Sequence, residues 1–308
     1  MAVAPLPGVT SDSAAPIAVT PIAVALVTGF LGAGKTTLVN AILRDPRYAD
    51  TAVIVNEFGT VGLDALLIER ATDNVLLLDS GCLCCAMRDG LRETLADLFV
   101  RRVKGDVPAF TRVIVETSGL ADPGPIAAEL VSDALVRTEF RLAGIVTVVD
   151  AVNAPGLLDP AAPSWEATRQ VALADTLVLA KGDLVAPAAL AALEASLAAI
   201  NPSASRVQAV RGALAPDTLF QGQGARLAQT PPGLLTRGRI GPRDAHLRGV
   251  ASTAFTTDAP LDWPALAAWM REVADRFGKR LLRAKALVAL VDGGTVVLHA
   301  IAGVFHPP

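Results

Sequence analysis

The sequence predicts an α/β fold, a mostly parallel sheet with helices on both faces, followed by a small α+β unit. Three observations lead there. Short aliphatic and β-branched runs alternate with amphipathic stretches from residue 22 to residue 200, the pattern of strands buried on both faces by crossover helices. A glycine-rich turn joins the first run to the first amphipathic stretch. Residues 212–247 then lose all periodicity and collect glycine and proline, and a helix-and-hairpin pattern follows them.

Taken in order, residues 1–20 are rich in Ala, Pro, Val, Ser and Thr and are expected to be a disordered tail. Strands are expected at 22–28, 52–56, 75–79, 113–116, 143–149 and 177–180, and helices at 35–43, 87–102, 125–131, 165–173 and 187–200. The stretch 212–247 reads as a linker. Beyond it, 249–256 reads as a strand and 263–277 as a helix. Strands at 281–291 and 295–301 are joined by Asp292-Gly293-Gly294, a good hairpin turn. The chain thus divides into a tail (1–20), a first domain (21–211), a linker (212–247) and a small second domain (248–308) near the lower size for independent folding.

Composition narrows the function. With 308 residues, 52% hydrophobic content and a net charge of −3, the chain has a real core and no basic excess, which argues against a nucleic-acid partner. Residues 13–34 carry no charge, but Pro16, Pro21 and the glycines near the end of that run make a poor membrane span. No basic residue precedes Lys35 to start a secretory signal. All three cysteines lie within 82–85, too close to staple a fold, so the chain reads as a reduced, cytoplasmic protein. Only five of the 27 basic residues are lysine, so each lysine is a candidate for work that arginine cannot do.

Gly29-Phe30-Leu31-Gly32-Ala33-Gly34-Lys35-Thr36 fits G-x-x-x-x-G-K-[ST] between an expected strand and an expected helix. Glycines let backbone N–H groups turn toward phosphate oxygens, and the helix N-terminus adds positive potential. Gly32, Ala33, Gly34, Lys35, Thr36 and Thr37 are therefore the candidate phosphate binders, with Lys35 on the β/γ-phosphates and Thr36 toward Mg²⁺. Glu116 ends the apolar run 113–116 and is followed by Thr117-Ser118-Gly119, the place for an acid near Mg²⁺. Ala180-Lys181-Gly182-Asp183 ends another strand and is close to the N-K-x-D pattern of GTPases. Asp183 would accept from the guanine N1 and N2 hydrogens while the Lys181 stem covers the base, so GTP is favoured over ATP. Ala180 stands where that pattern has asparagine.

Cys82, Cys84 and Cys85 follow a strand end and can converge as soft thiolate ligands, with a tetrahedral position left open. A redox pair and small buried hydrophobes are the alternatives. His246, His299 and His306 are isolated and read as core or exposed imidazoles rather than ligands.

Together, the phosphate loop, Glu116-Thr117-Ser118-Gly119 and Cys82-x-Cys84-Cys85 resemble the CobW family of P-loop GTPases, implicated in metal delivery. Asn56-Glu57-Phe58-Gly59 with Val61-Gly62-Leu63-Asp64, Val148-Val149-Asp150-Ala151-Val152 and Leu281-Leu282-Arg283-Ala284-Lys285 extend the likeness. The resemblance implies a P-loop NTPase fold and catalytic roles for Lys35, Glu116 and Asp64, with Asp64 on the attacking water. It also implies Glu57 as an added ligand to the cysteine-bound metal, Zn²⁺ or Co²⁺. The function it implies is a GTP-hydrolysing metallochaperone with a client metalloprotein. A nucleotide-dependent metal or redox sensor without transfer is the alternative. The sequence leaves the oligomeric state open.

Overall fold

The computed structural model describes residues 21–56, 76–79, 90–159, 161–214, 218–220, 250, 257 and 259–305. The first part is a seven-stranded sheet. Its strands are β1 (Ile22–Thr28), β2 (Thr51–Asn56), β3 (Leu76–Asp79), β4 (Arg112–Thr117), β5 (Phe140–Asp150), β6 (Thr176–Ala180) and β7 (Ser205–Ala209). They run in the order β3-β2-β4-β1-β5-β6-β7, and every pair is parallel. The helices between them are α1 (Lys35–Leu43), α2 (Gly90–Lys104), α3 (Pro123–Ser132), α4 (Ala134–Glu139), α5 (Ala154–Leu157), α6 (Trp165–Leu173) and α7 (Pro187–Ile200).

Strand alternation explains why these runs are continuously apolar. Ile22, Val24 and Leu26 of β1 join Val113 and Val115 of β4 in a core with Leu95, Leu98 and Leu130. The residues between them, Ala25, Val27 and Ile114, face a second core with Leu38, Val39 and Ile42 of α1. Successive side chains point to opposite faces, so a strand covered on both sides needs an apolar residue at every position. Local signals set the helix starts. Ser164 accepts from the Ala167 N–H at 3.2 Å, and Asp122 accepts from the Gly124 N–H at 2.9 Å with Pro123 in the first turn.

The second part contains α8 (Trp263–Phe277), β8 (Arg283–Ala289), β9 (Thr295–Ile301) and β10 (Val304–Phe305), the strands forming an antiparallel sheet in the order β10-β9-β8. The expected turn is there: the Asp292 carboxylate accepts from the Gly294 N–H at 2.9 Å, and Gly293 has φ 88°. This sheet packs back on the first. Ile301 is fully buried in the α2–α3 core, with Leu282, Ala302 and Val304 against it. Asp175, just ahead of β6, is fully buried and pairs with Arg283 and, at 3.0 Å, with Lys285.

The structure departs from the expected elements in physical ways. β7 carries only an alternating, mostly exposed S-R-V-Q-A pattern, which has no apolar run to find. Strands β2, β4, β5 and β6 extend past the apolar runs into polar or charged residues, because ladder hydrogen bonds are made by the backbone. The expected strand 281–291 is shorter, Arg283–Ala289. Within the stretch 212–247, Leu219 is fully buried against α1 and Phe220 lies 6.0 Å, ring to ring, from Tyr48. The expected tail and the expected strand 249–256 lie outside the described residues, Val250 apart. No described helix is long and apolar enough to cross a membrane.

Candidate functional site

The carboxyl ends of β1, β4, β5 and β6 converge where the strand order reverses, the crevice in which doubly wound sheets hold ligands. After β1 the chain turns at Gly29, with φ 143°. A Cβ there would lie 2.3 Å from the Val148 carbonyl oxygen, so only glycine fits. Gly32 (φ 70°) and Gly34 (φ 100°) are left-handed, and Gly34 caps α1, whose positive end therefore opens on the loop. Lys35 is buried, and its Nζ donates to Gly29 O at 3.0 Å and Phe30 O at 3.3 Å. The ammonium already sits against the loop backbone.

β4 brings in Glu116 beside Val27 of β1. Glu116 is 2% exposed, and its carboxylate accepts from Thr36 Oγ1 at 2.8 Å. Below it, Thr117 Oγ1 donates to Thr28 Oγ1 at 2.9 Å and locks the two strand ends together. Gly119 then passes against the phosphate loop, where a Cβ would meet Leu31 N at 2.7 Å. Two residues of α6 hold this passage. Gln170 Nε2 donates to Gly119 O at 3.1 Å and Ala121 O at 3.0 Å, and Arg169 pairs with Asp122 at 2.8 Å. Sequence reasoning missed both. The signal was two polar residues on the inward face of an amphipathic helix, which names no partner.

β6 brings in Lys181, which has φ 59°. Its Nζ donates to Gly32 O at 2.9 Å and to Asp150 Oδ2 at 2.7 Å. Asp183 is exposed in the turn Gly182–Leu184 that follows. Burial pushes the Asp150 carboxyl up. Hydrogen bonds from Lys181, Asn153 and the Val152 N–H, with the Lys181 charge, more than offset that and leave it below the usual carboxylate range.

Gly32, Ala33, Gly34, Lys35, Thr36, Thr37, Glu116, Lys181 and Asp183 thus share one end of the sheet. Asp64, Glu57, Cys82, Cys84 and Cys85 lie outside the described residues. Among the described residues no group of three or more His, Cys, Asp and Glu could hold a metal. β3 ends at Asp79 on the same sheet end, level with Val55 of β2. His299 is buried in the second sheet, 3.3 Å from Arg283 Nη2, in keeping with a core imidazole.

A glycine loop at a strand–helix junction, a lysine inside it and an acid at the next strand end define a P-loop nucleotide-binding protein. The family model for the CobW/HypB/UreG nucleotide-binding domain matches residues 23–208, and that for the cobalamin synthesis protein cobW C-terminal domain matches residues 250–308. The chain belongs to the CobW family. It is 33% identical over 273 residues to the zinc chaperone YjiA of Escherichia coli, covering 89% of this chain and 83% of that one. It is 34% identical over 200 residues to the zinc-regulated GTPase metalloprotein activator 1 of Schizosaccharomyces pombe, covering 63% of this chain but only 47% of that protein. The crystal structure of Zn(II)-bound YjiA GTPase from E. coli superposes with a TM-score of 0.63 at 27% identity, covering 93% of this chain and 88% of that one.

Proposed function

We propose that this chain is a cytoplasmic GTPase that carries a transition metal to a client metalloprotein. The observation that carries the reading is the 2.9 Å contact from Lys181 Nζ to Gly32 O. It sets the Ala180–Asp183 segment against the phosphate loop, so that one nucleotide spans both. The names of the relatives, a zinc chaperone and a zinc-regulated metalloprotein activator, support the cargo. The reading keeps a phosphate-loop domain from residue 21, extended to include Leu219, and a second domain at 248–308.

In this reading the loop N–H groups and Lys35 bind the phosphates, Asp183 reads the guanine edge, and the Lys181 stem covers the base. Thr36 Oγ1 and Glu116 Oε1 are hard oxygen donors 2.8 Å apart, of the kind that suits Mg²⁺, with Thr36 as a ligand and Glu116 acting through a water. They fit that ion. When bound, Mg²⁺ supplies positive charge for the developing charge on the β- and γ-phosphate oxygens. Asp64 orients a water whose oxygen bonds to the γ-phosphorus as the β–γ bridging P–O bond breaks, leaving GDP and phosphate. The cargo, Zn²⁺ or Co²⁺, is taken by the thiolates of Cys82, Cys84 and Cys85 with the Glu57 carboxylate.

Zn²⁺ titration in the presence of GDP or a non-hydrolysable GTP analogue tests this. The affinities are expected to differ, with GTP binding tightened by zinc to the same factor as the reverse. Cys84→Ala is expected to lose the nucleotide-dependent site. A variant of the YjiA GTPase with one glutamate and two consecutive cysteines replaced by alanine still crystallises with Zn(II), so the titration must separate this site from others. Equal affinity in both nucleotide states, or an unchanged Cys84→Ala profile, would sink the proposal.

A further inference from the structure

Ala180 leaves the base segment without the polar side chain that usually fastens it, yet Lys181 is held in a costly backbone conformation. Three described non-glycine residues have positive φ: Lys181 (59°), Arg211 (52°) and Ala302 (49°). Arg211 and Ala302 each precede a left-handed glycine, Gly212 or Gly303, inside a two-residue reversal between Val210 and Ala213 or between Ile301 and Val304. Such turns require positive φ at both positions. Lys181 has no reversal to make. It follows the last residue of β6 and opens the turn Gly182–Leu184. Something else holds it there.

We propose that Asp150 is a positioning residue for nucleotide binding. With Asn153, it holds Lys181 across the phosphate loop from the neighbouring strand and so does the work that an asparagine at position 180 would otherwise do. This rests on the reading of Lys181 and Asp183 as the guanine site. Asp150 stands on the same rung of the sheet as Ala180, and the Ala151 N–H donates to Ala180 O at 2.9 Å. The carboxylate therefore emerges beside the position where the side chain is missing.

Its two oxygens divide the labour. Oδ1 accepts from the Val152 N–H at 2.9 Å, an ordinary turn contact that any aspartate here would make. Oδ2 accepts from Asn153 Nδ2 at 2.7 Å and from Lys181 Nζ at 2.7 Å. The side chain of Asp150 is 5% exposed, whereas that of Lys181 is 37% exposed. The buried member fixes the more exposed one. Without it the Lys181 ammonium keeps its bond to Gly32 O and has solvent beside it. A lysine so fixed covers the base plane in ground state and transition state alike, so its loss raises KM and leaves kcat.

The test uses the full chain with GTP, comparing Asp150→Asn, Asp150→Ala, Lys181→Ala and the Asp150→Ala/Lys181→Ala pair. Each single change is expected to raise the GTP KM and the Kd for a non-hydrolysable analogue about tenfold, the loss of one charge-assisted hydrogen bond. The kcat at saturating GTP is expected to stay within about twofold, and the double variant to bind no worse than Lys181→Ala within about twofold. Asp150→Asn keeps the size and the turn contact, so it carries the test if the alanine variant does not fold. Asp150 variants that bind GTP like the parent while Lys181→Ala is weakened would overturn the positioning role. So would additive losses in the double variant, or a fall in kcat at unchanged KM. A Lys181→Ala variant that binds GTP normally would instead bring down the guanine-site reading on which the inference stands.

Discussion

Replacing Asp175 is expected to release the second sheet from the first. Its carboxylate is completely buried. One oxygen meets both Arg283 and, at 3.0 Å, Lys285, and the other accepts from the Ile145 N–H at 2.9 Å. Arg283 is 7% and Lys285 12% exposed, so water screens neither partner. Asp175→Asn keeps a carbonyl for Ile145 but leaves two buried cations facing a neutral amide. Removing one side of a buried ion pair costs about 3–5 kcal/mol. Asp175→Ala also strands the Ile145 N–H, adding about 1–3 kcal/mol. Trp165 lies in α6 of the first part, and Trp263 and Trp269 lie in α8 of the second. Urea unfolding followed by tryptophan fluorescence, repeated with Trp165→Phe to isolate α8, reads the second part directly. Its transition is expected to move to lower urea and to separate from that of the sheet, while GTP affinity is retained. A loss below about 1 kcal/mol for Asp175→Asn would refute the reasoning, because it would place the carboxylate among the surface ion pairs.

Further expectations concern the same geometry. Although burial pushes the Asp175 carboxyl up, the charges of Arg283 and Lys285 and the Arg283 hydrogen bond hold it far below the usual carboxylate range. Its contribution is therefore complete above the unfolded value of about 4 and is lost as pH falls through the folded value. The acid limb of a stability–pH curve should flatten in Asp175→Asn. Gly29→Ala would drive a methyl into Val148 O at φ 143° and should abolish GTP binding in equilibrium titration, whereas an equally small change on an exposed helix face would not. Gln170→Leu removes both bonds to Gly119 O and Ala121 O and should cost about 1–3 kcal/mol in denaturant unfolding, with slower GTP turnover. Leu98→Ala, at a fully buried site, should cost about 2–5 kcal/mol by the same unfolding measurement and leave the GTP KM unchanged.

Much of the fold is legible in the chain because its signals are local. The helices at 35–43, 165–173, 187–200 and 263–277 coincide with their sequence bounds. Each is bracketed by a cap, a proline or a glycine and carries an apolar face. The phosphate loop is legible for the same reason, since its glycines and Lys35 lie within eight residues of one another. Glu116 was found because a strand end is a local feature. Its 2.8 Å contact with Thr36, eighty residues earlier, depends on β4 pairing with β1.

Tertiary structure decided what distant segments do to one another. β7 became a strand because β6 offered an edge to pair with, despite an S-R-V-Q-A pattern with no apolar run. Leu219 joined the first core although the glycine and proline around it marked a linker. Gln170, Arg169, Asp150 and Asn153 gained their roles only when β5 and α6 were laid beside the phosphate loop. The five lysines that stood out by their rarity show the division. The sequence alone placed Lys35 and Lys181 in nucleotide motifs, whereas the partner of Lys285, Asp175, is 110 residues away. Backbone propensity and periodicity are written within a few residues. The pairing of charges across a sheet or between sheets exists only once the chain has folded.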